Sequence, residues 1–407
     1  MEQNRWPSRG IITDRYSNTI TLKQFLKGFT ELGKVFEVKS KDEFSHARTG
    51  VLETAHGEIE TPVFMPVGTR GSVKGLTPEQ ITETDSQIIL ANTYHMMLRP
   101  GADIVEELGG LHKLMAWDKP ILTDSGGYQV FSLSTLNKIT DSGVEFASHI
   151  DGKKYILGPE SSIEIQNKLG ADIIMAFDEC TPFPCPEERL KTAVNRSIRW
   201  AEQSLKSHKR DDQLLFGIVQ GGIDLALRSG CAEGLVSMGF PGYAIGGLSV
   251  GEGHKNMIET VNHTATLLPE DKPRYLMGVG MPPDIIAAVK AGVDMFDCVL
   301  PTRNGRNAFA FTQSGAVRLR NSIHTKDSSP IENNCDCYAC RNFSRAAIRH
   351  FFNVGEMLGP TLVSIHNIRF FQRLIASIKE RIKDGSFSSW ADKQVEKYQK
   401  CGLCRDF

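Results

Sequence analysis

Short apolar runs alternate with amphipathic segments between Thr61 and Leu300. Eight of the runs have the composition of buried strands, because each is nearly continuous in apolar residues and ends at glycine or a polar side chain. They lie at 61–69, 86–93, 119–127, 171–179, 213–222, 242–249, 273–280 and 295–300. Continuous apolar strands between amphipathic helices are typical of a parallel sheet covered by helices. Eight such units predict an α/β fold, a closed (β/α)8 TIM barrel rather than an open sheet.

Three segments depart from this alternation. Between the third and fourth strands, two alternating runs flank Asp151-Gly152 and predict an antiparallel insertion. After the eighth strand, FAFTQSGAVRLRN predicts a second hairpin, followed by a cysteine-rich insertion at about 308–370 and by C-terminal helices. Residues 1–43 are interpreted as an N-terminal extension of unknown role, in which TITLKQFLKGF favours a short amphipathic helix. Residues 44–407 are expected to form the barrel domain.

Most of the predicted strands end in polar side chains and glycines. These residues are Asp124 to Gln129 at the end of the third strand, Asp178 to Cys180 at the fourth, Gln220 to Gly222 at the fifth, Gly246 to Leu248 at the sixth and Met277 to Gly280 at the seventh. In barrels of this class the active site lies at the carboxyl ends of the strands. A single aspartate there would often be a helix cap or a turn residue, but a succession of such strand ends predicts one shared pocket.

The residue types in this pocket indicate the kind of ligand. Carboxylate and amide side chains beside free backbone amides suit a planar ligand with donors and acceptors on one edge, such as a purine. Tyr128 and Met277 are candidate walls for stacking, although either residue alone is more often part of a core. Two carboxylates are also the equipment for breaking a glycosidic bond. The chain has no P-loop, no dinucleotide fingerprint after a strand and no His-x-His after the first strand, which disfavours nucleotide-cofactor and metal-hydrolase chemistry.

The eighth run, MFDCVLPTRNGRN, places an acid inside an apolar strand and two arginines directly after it. A carboxylate in such a strand is costly unless it is paired or has a chemical task. Asp297 is therefore a candidate nucleophile, and Arg303 and Arg306 are expected on a loop that binds phosphate.

Overall composition is that of a globular protein, with 40% hydrophobic and 23% charged residues among 407. The net charge of −1 means that any nucleic-acid contact must come from a local basic patch. No apolar run approaches the ~18 residues that span a bilayer, and the N-terminus lacks the apolar core of a signal peptide. We therefore expect a cytoplasmic protein with no membrane contact.

Three of the nine cysteines, Cys335, Cys337 and Cys340, have the spacing of metal ligands. Three thiolates need a fourth ligand, for which we choose His366 over His350 and His324. A closed Cys3His site predicts one structural Zn²⁺ rather than a catalytic ion. The terminal pair Cys401 and Cys404 is weak evidence for any site.

Several long motifs in one order resemble those of the bacterial tRNA-guanine transglycosylases, also called queuine or preQ1 tRNA-ribosyltransferases. They are TDSGGYQVFSL (123–133), MAFDEC (175–180), GIVQGG (217–222), GGLSVGE (246–252), YLMGVG (275–280) and FDCVLPTRNGRN (296–307), followed by the three cysteines and the later histidine. The resemblance extends from about residue 44 to near the C-terminus. It implies a zinc-containing barrel enzyme, typically a homodimer, that exchanges a wobble guanine of tRNA for a 7-deazaguanine during queuosine synthesis. The tRNAs implied are those with GUN anticodons, which accept aspartate, asparagine, histidine and tyrosine.

The resemblance also implies a role for individual residues. Asp297 corresponds to the nucleophile that attacks the ribose C1′, and Asp124 to the general acid and base. The residues implied to bind the base are Asp124, Ser125, Tyr128, Asp178, Gln220, Gly246, Gly247, Leu248 and Met277, with the Leu248 carbonyl facing the 7-substituent. The residues implied to contact RNA are Arg303, Arg306, Gly278 and Asp284, and the zinc ligands are Cys335, Cys337, Cys340 and His366.

The incoming base is predicted from the pocket wall. Cys180 and Val250 keep the bacterial pattern, whereas Ser249 replaces an alanine that is frequent in the family. Pockets for the bulkier base queuine usually have a smaller residue at the position of Val250, so the small aminomethyl base preQ1 is expected. The alternatives are the same reaction with queuine and a catalytically silent tRNA-binding subunit. A sugar hydrolase would not need the cysteine cluster or the two arginines.

Overall fold

The computed structural model describes residues 35–133 and 137–403. The helix expected at 19–29 and Cys404 lie outside the described residues. The strands are β1 Phe36–Lys41, β2 Arg48–Thr54, β3 Gly57–Thr61, β4 Val63–Gly68, β5 Ile89–Ala91, β6 Ile121–Thr123, β7 Asn137–Thr140, β8 Gly143–Ala147, β9 Lys154–Leu157, β10 Ile173–Met175, β11 Leu214–Val219, β12 Gly242–Ile245, β13 Arg274–Leu276, β14 Met295–Cys298, β15 Phe309–Thr312 and β16 Gly315–Arg318.

Helices separate most of these strands. They are α1 Pro78–Thr82, α2 Thr93–Leu98, α3 Ala102–Glu107, α4 Gly110–Met115, α5 Gly127–Leu133, α6 Pro159–Leu169, α7 Glu187–Ser207, α8 Leu225–Met238, α9 His254–Leu267, α10 Pro282–Lys290, α11 Leu300–Arg306, α12 Tyr338–Asn342, α13 Arg345–Val354, α14 Leu358–Lys383 and α15 Phe387–Lys400. Among the described residues, no helix is long and apolar enough to cross a membrane.

The predicted barrel is confirmed. Strands β4, β5, β6 and β10 to β14 form a closed parallel barrel, which is completed where β14 pairs with β4 in the register Asp297↔Met65. Each of these strands lies within one of the eight predicted runs. Almost every strand residue is buried, because barrel residues face either the filled interior or the surrounding helices. The carboxyl ends of all eight strands therefore meet at one mouth.

A three-stranded antiparallel sheet, β1 to β3, precedes the barrel and lies at its amino-terminal end. Arg48 in β2 forms a buried, two-pronged ion pair with Asp294, which precedes β14, with distances of 2.7 and 3.0 Å. This sheet was not predicted, and β1 lies within the segment interpreted as an extension. Its strands are short and half-exposed, so their apolar pattern is weaker than that of the barrel strands.

A buried carboxylate, Asp172, makes a second connection between this sheet and the barrel. Its oxygens accept hydrogen bonds from Nδ1 and the amide of His56 in the β2–β3 turn, from Nε2 of His112 and from the amide of Ile121. The two imidazole rings are stacked 3.6 Å apart. Nearly parallel rings at this separation cannot direct both nitrogen lone pairs at one ion, so the cluster is a hydrogen-bond network that joins the turn to the barrel floor.

The insertion between the third and fourth barrel strands is antiparallel, as predicted, but it has three strands rather than two. β8 and β9 are the predicted hairpin, and β7 adds a strand on the other side of β8. Tyr94, Val144, Phe146, Leu157 and Trp200 share a small core that fixes this sheet beside the barrel.

The cysteine-rich region contains the predicted hairpin, β15–β16, and the helices α12 to α14. It has its own core, which includes Ala308, Leu319, Ile331, Ile348 and Leu362. One expectation is wrong here. Arg303 and Arg306 do not lie on a loop, because residues 300–306 form α11, with Pro301 in its first turn, where the missing amide hydrogen costs nothing.

Candidate active site

The carboxylate of Asp124 is held by residues that follow the neighbouring strand β5 and by its own loop. The backbone amides of Thr93 and Gly126 donate to its Oδ1 at 2.9 and 3.2 Å, and the side-chain amide of Asn92 donates to Oδ2. Asn92 is also the N-cap of α2, so the cap that starts this helix directs its amide group at Asp124. Burial raises the pKa of Asp124 to about 7, and the negative charges of Asp297 and Asp178 act in the same direction.

Asp178 and Gln220 form one continuous hydrogen-bonding edge. Nε2 of Gln220 donates to Oδ2 of Asp178 at 2.7 Å, and the hydroxyl of Ser125 donates to Oδ1 at 2.9 Å. Burial raises the pKa of Asp178 to about 6, although both hydrogen bonds oppose the shift. The three side chains come from the ends of β6, β10 and β11, which are neighbours in the barrel. This edge has the donors and acceptors that a purine face requires.

The glycine that follows Gly246 lies directly against this edge. A Cβ on Gly247 would be 2.2 Å from Oε1 of Gln220, and the residue has a φ of +67°. Gly127, at the start of α5, is similarly close to Asp178, where a Cβ would be 2.7 Å from the backbone oxygen. Both positions therefore require glycine, because any side chain would displace the groups that form the edge.

Asp297 points into the mouth from β14. Its Oδ1 accepts hydrogen bonds from the hydroxyl of Tyr275 at 2.6 Å and from the amide of Gly278 at 2.7 Å. Burial raises the pKa of Asp297 above its usual value, and these two donors oppose the shift. Gly278 has a φ of +72°, which turns its amide toward the carboxylate. Gly278 was expected to contact RNA, and in the structure it is exposed beside Asp297.

The two residues predicted to stack on a base are both accessible. The ring of Tyr128 is 52% exposed, which excludes the alternative that it is an ordinary core residue. Met277 is partly exposed at the end of β13, and its amide donates to the carbonyl of Ile245. Leu248 is buried behind Gly247.

The peptide that follows Leu248 has an unexpected partner. The carboxylate of Glu252 accepts hydrogen bonds from the amides of Ser249 and Val250, at 2.5 and 2.9 Å. In a trans peptide the carbonyl points opposite to the amide hydrogen, so the Leu248 oxygen is directed away from Glu252. Ser249 has a φ of +62°, a conformation that the two hydrogen bonds to Glu252 stabilise.

A cavity of about 380 Å³ opens beside this peptide. Its wall includes Gly247, Val250 and Glu252 from the segment after β12, together with residues 181–185 after β10 and 222–224 after β11. Its volume lies in the range of small-molecule pockets. Gly247 thus lies both against the edge formed by Asp178 and Gln220 and in the wall of this cavity, which Val250 also bounds.

The residues expected to contact RNA lie around the same mouth. Arg303 is exposed on α11, and Arg306 is half-buried with Nη1 unbonded. Within the described residues neither arginine is paired with a carboxylate. Burial, and then the positive charge of Arg303, lower the pKa of Arg306. Asp284, in the first turn of α10, accepts a hydrogen bond of 2.6 Å from His254.

A candidate metal centre lies in the cysteine-rich region. The sulfur atoms of Cys335, Cys337 and Cys340 lie 3.5, 3.7 and 3.3 Å from Nδ1 of His366. The other ring nitrogen, Nε2, is 2.8 Å from the carbonyl oxygen of Phe311, which fixes the ring and leaves Nδ1 free to bind an ion. These four residues could hold one metal ion in a closed, buried site. The competitors are excluded as ligands, since His350 is exposed and His324 is bonded to Asp327.

The structure brings together the predicted carboxylates, Gln220 and the glycine-rich segments at one mouth. Four residues that the sequence did not single out also belong to it: Asn92, Thr93, Glu252 and Tyr275. Asn92 and Thr93 are the last residues of the second predicted strand, 86–93, so the rule that identified the other strand ends applies to them as well. Nothing local in the sequence distinguishes Tyr275, which lies inside an apolar strand.

A family model described as queuine tRNA-ribosyltransferase matches residues 42–400. A curated relative named queuine tRNA-ribosyltransferase, from Desulforamulus reducens, is 54% identical over 348 residues, which cover 86% of this chain and 94% of the relative. A protein of the same name from Caldanaerobacter subterraneus is 54% identical over 364 residues, 89% of this chain and 97% of its own length. One from Idiomarina loihiensis is 52% identical over 344 residues, with coverages of 84% and 92%.

Proposed function

This chain belongs to the queuine tRNA-ribosyltransferase family, and we propose that it exchanges the wobble guanine of GUN-anticodon tRNAs for preQ1 through a covalent intermediate on Asp297. The observation that carries the proposal is the arrangement at the barrel mouth. A purine-reading edge of Asp178 and Gln220 lies beside two further carboxylates, Asp124 and Asp297, whose charges influence each other. A base held on that edge and a ribose beside it would place the glycosidic bond between the two acids.

The first half-reaction requires Asp124 in its protonated form and Asp297 in its ionised form. A carboxylate oxygen of Asp297 forms a bond to the ribose C1′ as the bond from C1′ to N9 breaks, and the electron pair leaves with guanine. Asp124 supplies the proton that the departing guanine takes up, because its pKa of about 7 keeps a substantial fraction protonated near neutral pH. The developing positive charge on the ribose is stabilised by the nearby ionised Asp297.

The second half-reaction reverses these transfers with a new base. Asp124, now ionised, accepts the proton from N9 of the incoming base, while that nitrogen forms a bond to C1′. The bond between C1′ and Asp297 then breaks, and its electron pair returns to the carboxylate. Both acids are restored to their starting protonation, so no further reactant is needed.

The hydrogen bonds of Glu252 support preQ1 as the incoming base. Because the amide of Ser249 is directed to Glu252, the opposite face of the same peptide presents the Leu248 carbonyl. A carbonyl oxygen is a suitable acceptor for the aminomethyl group of preQ1. Val250 lies in the wall of the cavity beyond this point, where it limits the size of the 7-substituent.

A competition experiment decides between preQ1 and queuine. Each base is added to tRNA that carries labelled guanine at the wobble position. The rate at which preQ1 or queuine displaces the label is then compared for wild type and for Val250→Gly. We expect wild type to prefer preQ1 and the variant to gain activity toward queuine, because the shortened side chain enlarges the cavity. A strong wild-type preference for queuine would overturn the substrate assignment and leave the exchange reaction intact.

Arg303 and Arg306 are proposed to bind the phosphates of the anticodon loop. They lie on the helix that directly follows the nucleophile strand, and no carboxylate neutralises them within the described residues. Recognition of a single, extruded base agrees with the way proteins usually read RNA sequence.

The cysteine-rich region is proposed to hold one Zn²⁺ through Cys335, Cys337, Cys340 and His366. A closed set of three thiolates and one imidazole suits zinc and leaves no position for substrate. The ion would therefore stabilise the region that follows α11 and take no part in the exchange. A homodimer is also proposed, as is typical of the family.

The central test is the exchange of labelled guanine into tRNA by wild type and by Asp297→Ala. We expect the variant to lose exchange and to lose the protein–RNA adduct that survives denaturing electrophoresis. The matched control is Asp103→Ala, which removes an exposed carboxylate on α3 whose one ion-pair partner among the described residues is Lys168. Wild-type exchange by Asp297→Ala would overturn the assignment of the nucleophile.

A further inference from the structure

The two oxygens of the Asp297 carboxylate have different surroundings. Oδ1 accepts two hydrogen bonds, from the hydroxyl of Tyr275 at 2.6 Å and from the amide of Gly278 at 2.7 Å. Within residues 35–133 and 137–403, no side chain or amide of another residue donates a hydrogen bond to Oδ2, and the one further backbone donor to the carboxylate is the amide of Asp297 itself. A carboxylate whose first oxygen is bound by two donors has only the second oxygen free to form a bond.

The position of Tyr275 follows from the register of two barrel strands. Tyr275 in β13 pairs with Met295 in β14, so Asp297 lies two residues further toward the mouth. Side chains two residues apart share a face, which places Met295 and Asp297 on the same side of β14. The tyrosine is 1% exposed, and its hydroxyl reaches Asp297 one layer above.

Tyr275 acts as a donor over the whole working range of pH. Burial, and then the charge of Asp297, raise the pKa of its hydroxyl well above 10. The other titratable groups that influence it are Asp124 and Cys298. Because the phenol stays protonated, its hydrogen bond favours the ionised form of Asp297 and opposes the effect of burial.

We propose that Tyr275 is a positioning residue for the nucleophile, which together with the amide of Gly278 holds Oδ1 so that Oδ2 attacks the ribose. The inference rests on the proposed function. In the step, a lone pair of Oδ2 forms the bond to C1′, the bond from C1′ to N9 breaks, and guanine leaves with that pair and with the proton from Asp124. Oδ1 keeps both hydrogen bonds and becomes the carbonyl oxygen of the ester-like intermediate.

Two effects make the hydrogen bond useful. The χ2 torsion angle of an aspartate, which rotates its carboxylate, has a broad distribution. Without a fixed hydrogen-bond partner the carboxylate would therefore sample many orientations. Holding Oδ1 selects one of them before the ribose arrives. The bond also lowers the pKa of Asp297 against the burial that raises it, and so favours the ionised form that attacks.

The test is the variant Tyr275→Phe, which removes one hydroxyl group and preserves the ring. We expect kcat for guanine exchange to fall about ten- to a hundredfold, the usual effect of one hydrogen bond to a charged group. The KM for tRNA should stay within about twofold of wild type, because Tyr275 is buried away from the RNA. The acidic limb of the pH profile should move to higher pH, since the ionised Asp297 has lost one donor.

The matched control is Tyr243→Phe. Tyr243 lies on the neighbouring strand β12 and is also 1% exposed. Its phenol forms a hydrogen bond with the backbone of Phe240 rather than with the acids of the mouth. If the loss of any buried hydroxyl damaged the barrel, both variants would lose activity and show lower melting temperatures. We expect only Tyr275→Phe to lose activity and to shift the acidic limb.

The outcomes separate this inference from the proposed function. If Tyr275→Phe had the same kcat and the same acidic limb as wild type, the role of Tyr275 would be overturned and Asp297 would remain the nucleophile. Absence of exchange in the wild type, or full exchange in Asp297→Ala, would overturn the proposed function itself. Equal losses in Tyr275→Phe and Tyr243→Phe would also reject the positioning role, because the effect would then be general destabilisation.

Discussion

The side-chain amide of Gln220 donates a hydrogen bond of 2.7 Å to Asp178, across two neighbouring strands of the barrel. The contact orients the amide, so that its Oε1 lies against the backbone of Gly247. Asp178 is oriented from its other side by Ser125. The edge proposed to read the base is thus fixed before any ligand binds, which reduces the entropy lost on binding.

Gly247→Ala should weaken base binding. A Cβ there would lie 2.2 Å from Oε1 of Gln220, so the glutamine must move and the hydrogen bond to Asp178 must lengthen. We expect the KM for the incoming base to rise at least tenfold, the equivalent of about one hydrogen bond. The control is Gly239→Ala, which has a similar φ of +77° with nothing within 4 Å of the new Cβ. Equal effects of the two variants would show that backbone strain, and not the glutamine contact, is responsible.

The exchange rate should depend on pH through both acids of the mouth. In the proposed reaction Asp124 must be protonated to release guanine, and its pKa is raised to about 7, so kcat/KM should fall as the pH rises above 7. Asp297 must be ionised, and burial raises its pKa, so the rate should also fall at low pH. Asp124→Asn should lower the rate by about a hundred- to ten-thousandfold. A profile that stays flat from neutral to alkaline pH would contradict the assignment of Asp124 as the acid.

Cys337→Ser should remove the metal and destabilise the cysteine-rich region. Cys337 supplies one of the four converging ligand atoms and also caps α12 through its sulfur. Elemental analysis should find about one zinc ion per wild-type chain and a large loss in the variant. Cys185→Ser is the control, because this cysteine belongs to no metal-ligand group among the described residues. Full zinc content in Cys337→Ser would refute the ligand set.

Asp172→Asn should lower the free energy of unfolding by about 2–4 kcal/mol, because a neutral amide cannot accept all four hydrogen bonds that the carboxylate accepts. Burial acts to raise the pKa of Asp172, but the hydrogen bonds, led by that of His112, lower it overall. Its contribution to stability is therefore present above its unfolded pKa and is lost as the pH falls through the lower folded value. Denaturant titrations of wild type and variant at neutral and acidic pH measure both effects.

The control for Asp172→Asn is Asp103→Asn, which neutralises an exposed carboxylate on α3 that forms an ion pair with Lys168 of α6. We expect that change to stay within about 0.5 kcal/mol of wild type. If the two variants had the same free energy of unfolding, the contacts of Asp172 with the two histidines would not contribute to the stability of the sheet β1–β3 against the barrel.

Arg303→Gln and Arg306→Gln should weaken tRNA binding in a salt-dependent manner. Each lost phosphate contact should reduce the slope of log affinity against log salt by about 0.7 on single-stranded RNA. Arg381→Gln is the control, since this arginine lies near the end of α14 and is paired with Asp384. Unchanged salt slopes in both active-site variants would exclude phosphate binding by α11. Binding of the free base should not change in any of the three.

The sequence determined the architecture because the signals for it are local. The pattern of an apolar strand and its amphipathic helix lies in consecutive residues. The rule that strand ends meet at one mouth then predicted that Asp124, Asp178, Gln220 and Asp297 lie together. The spacing of Cys335, Cys337 and Cys340 is local in the same way. The short helix α11 was missed because Pro301, Asn304 and Gly305 are residue types typical of loops, although proline is well tolerated in a first helical turn.

Tertiary structure alone decided the contacts between strands. The partners of Asp124 and Asp297 lie 32 and 22 residues away in the chain, at Asn92 and Tyr275, and no periodicity links such distances. The sequence favoured His366 over two other histidines, and the approach of its ring to the three sulfur atoms depends on where α14 crosses the cysteine cluster. The sequence alone therefore determined which strand ends meet at the mouth. Strand register and backbone direction decided which oxygen of Asp297 is held and which stays free, because these depend on the packing of distant segments.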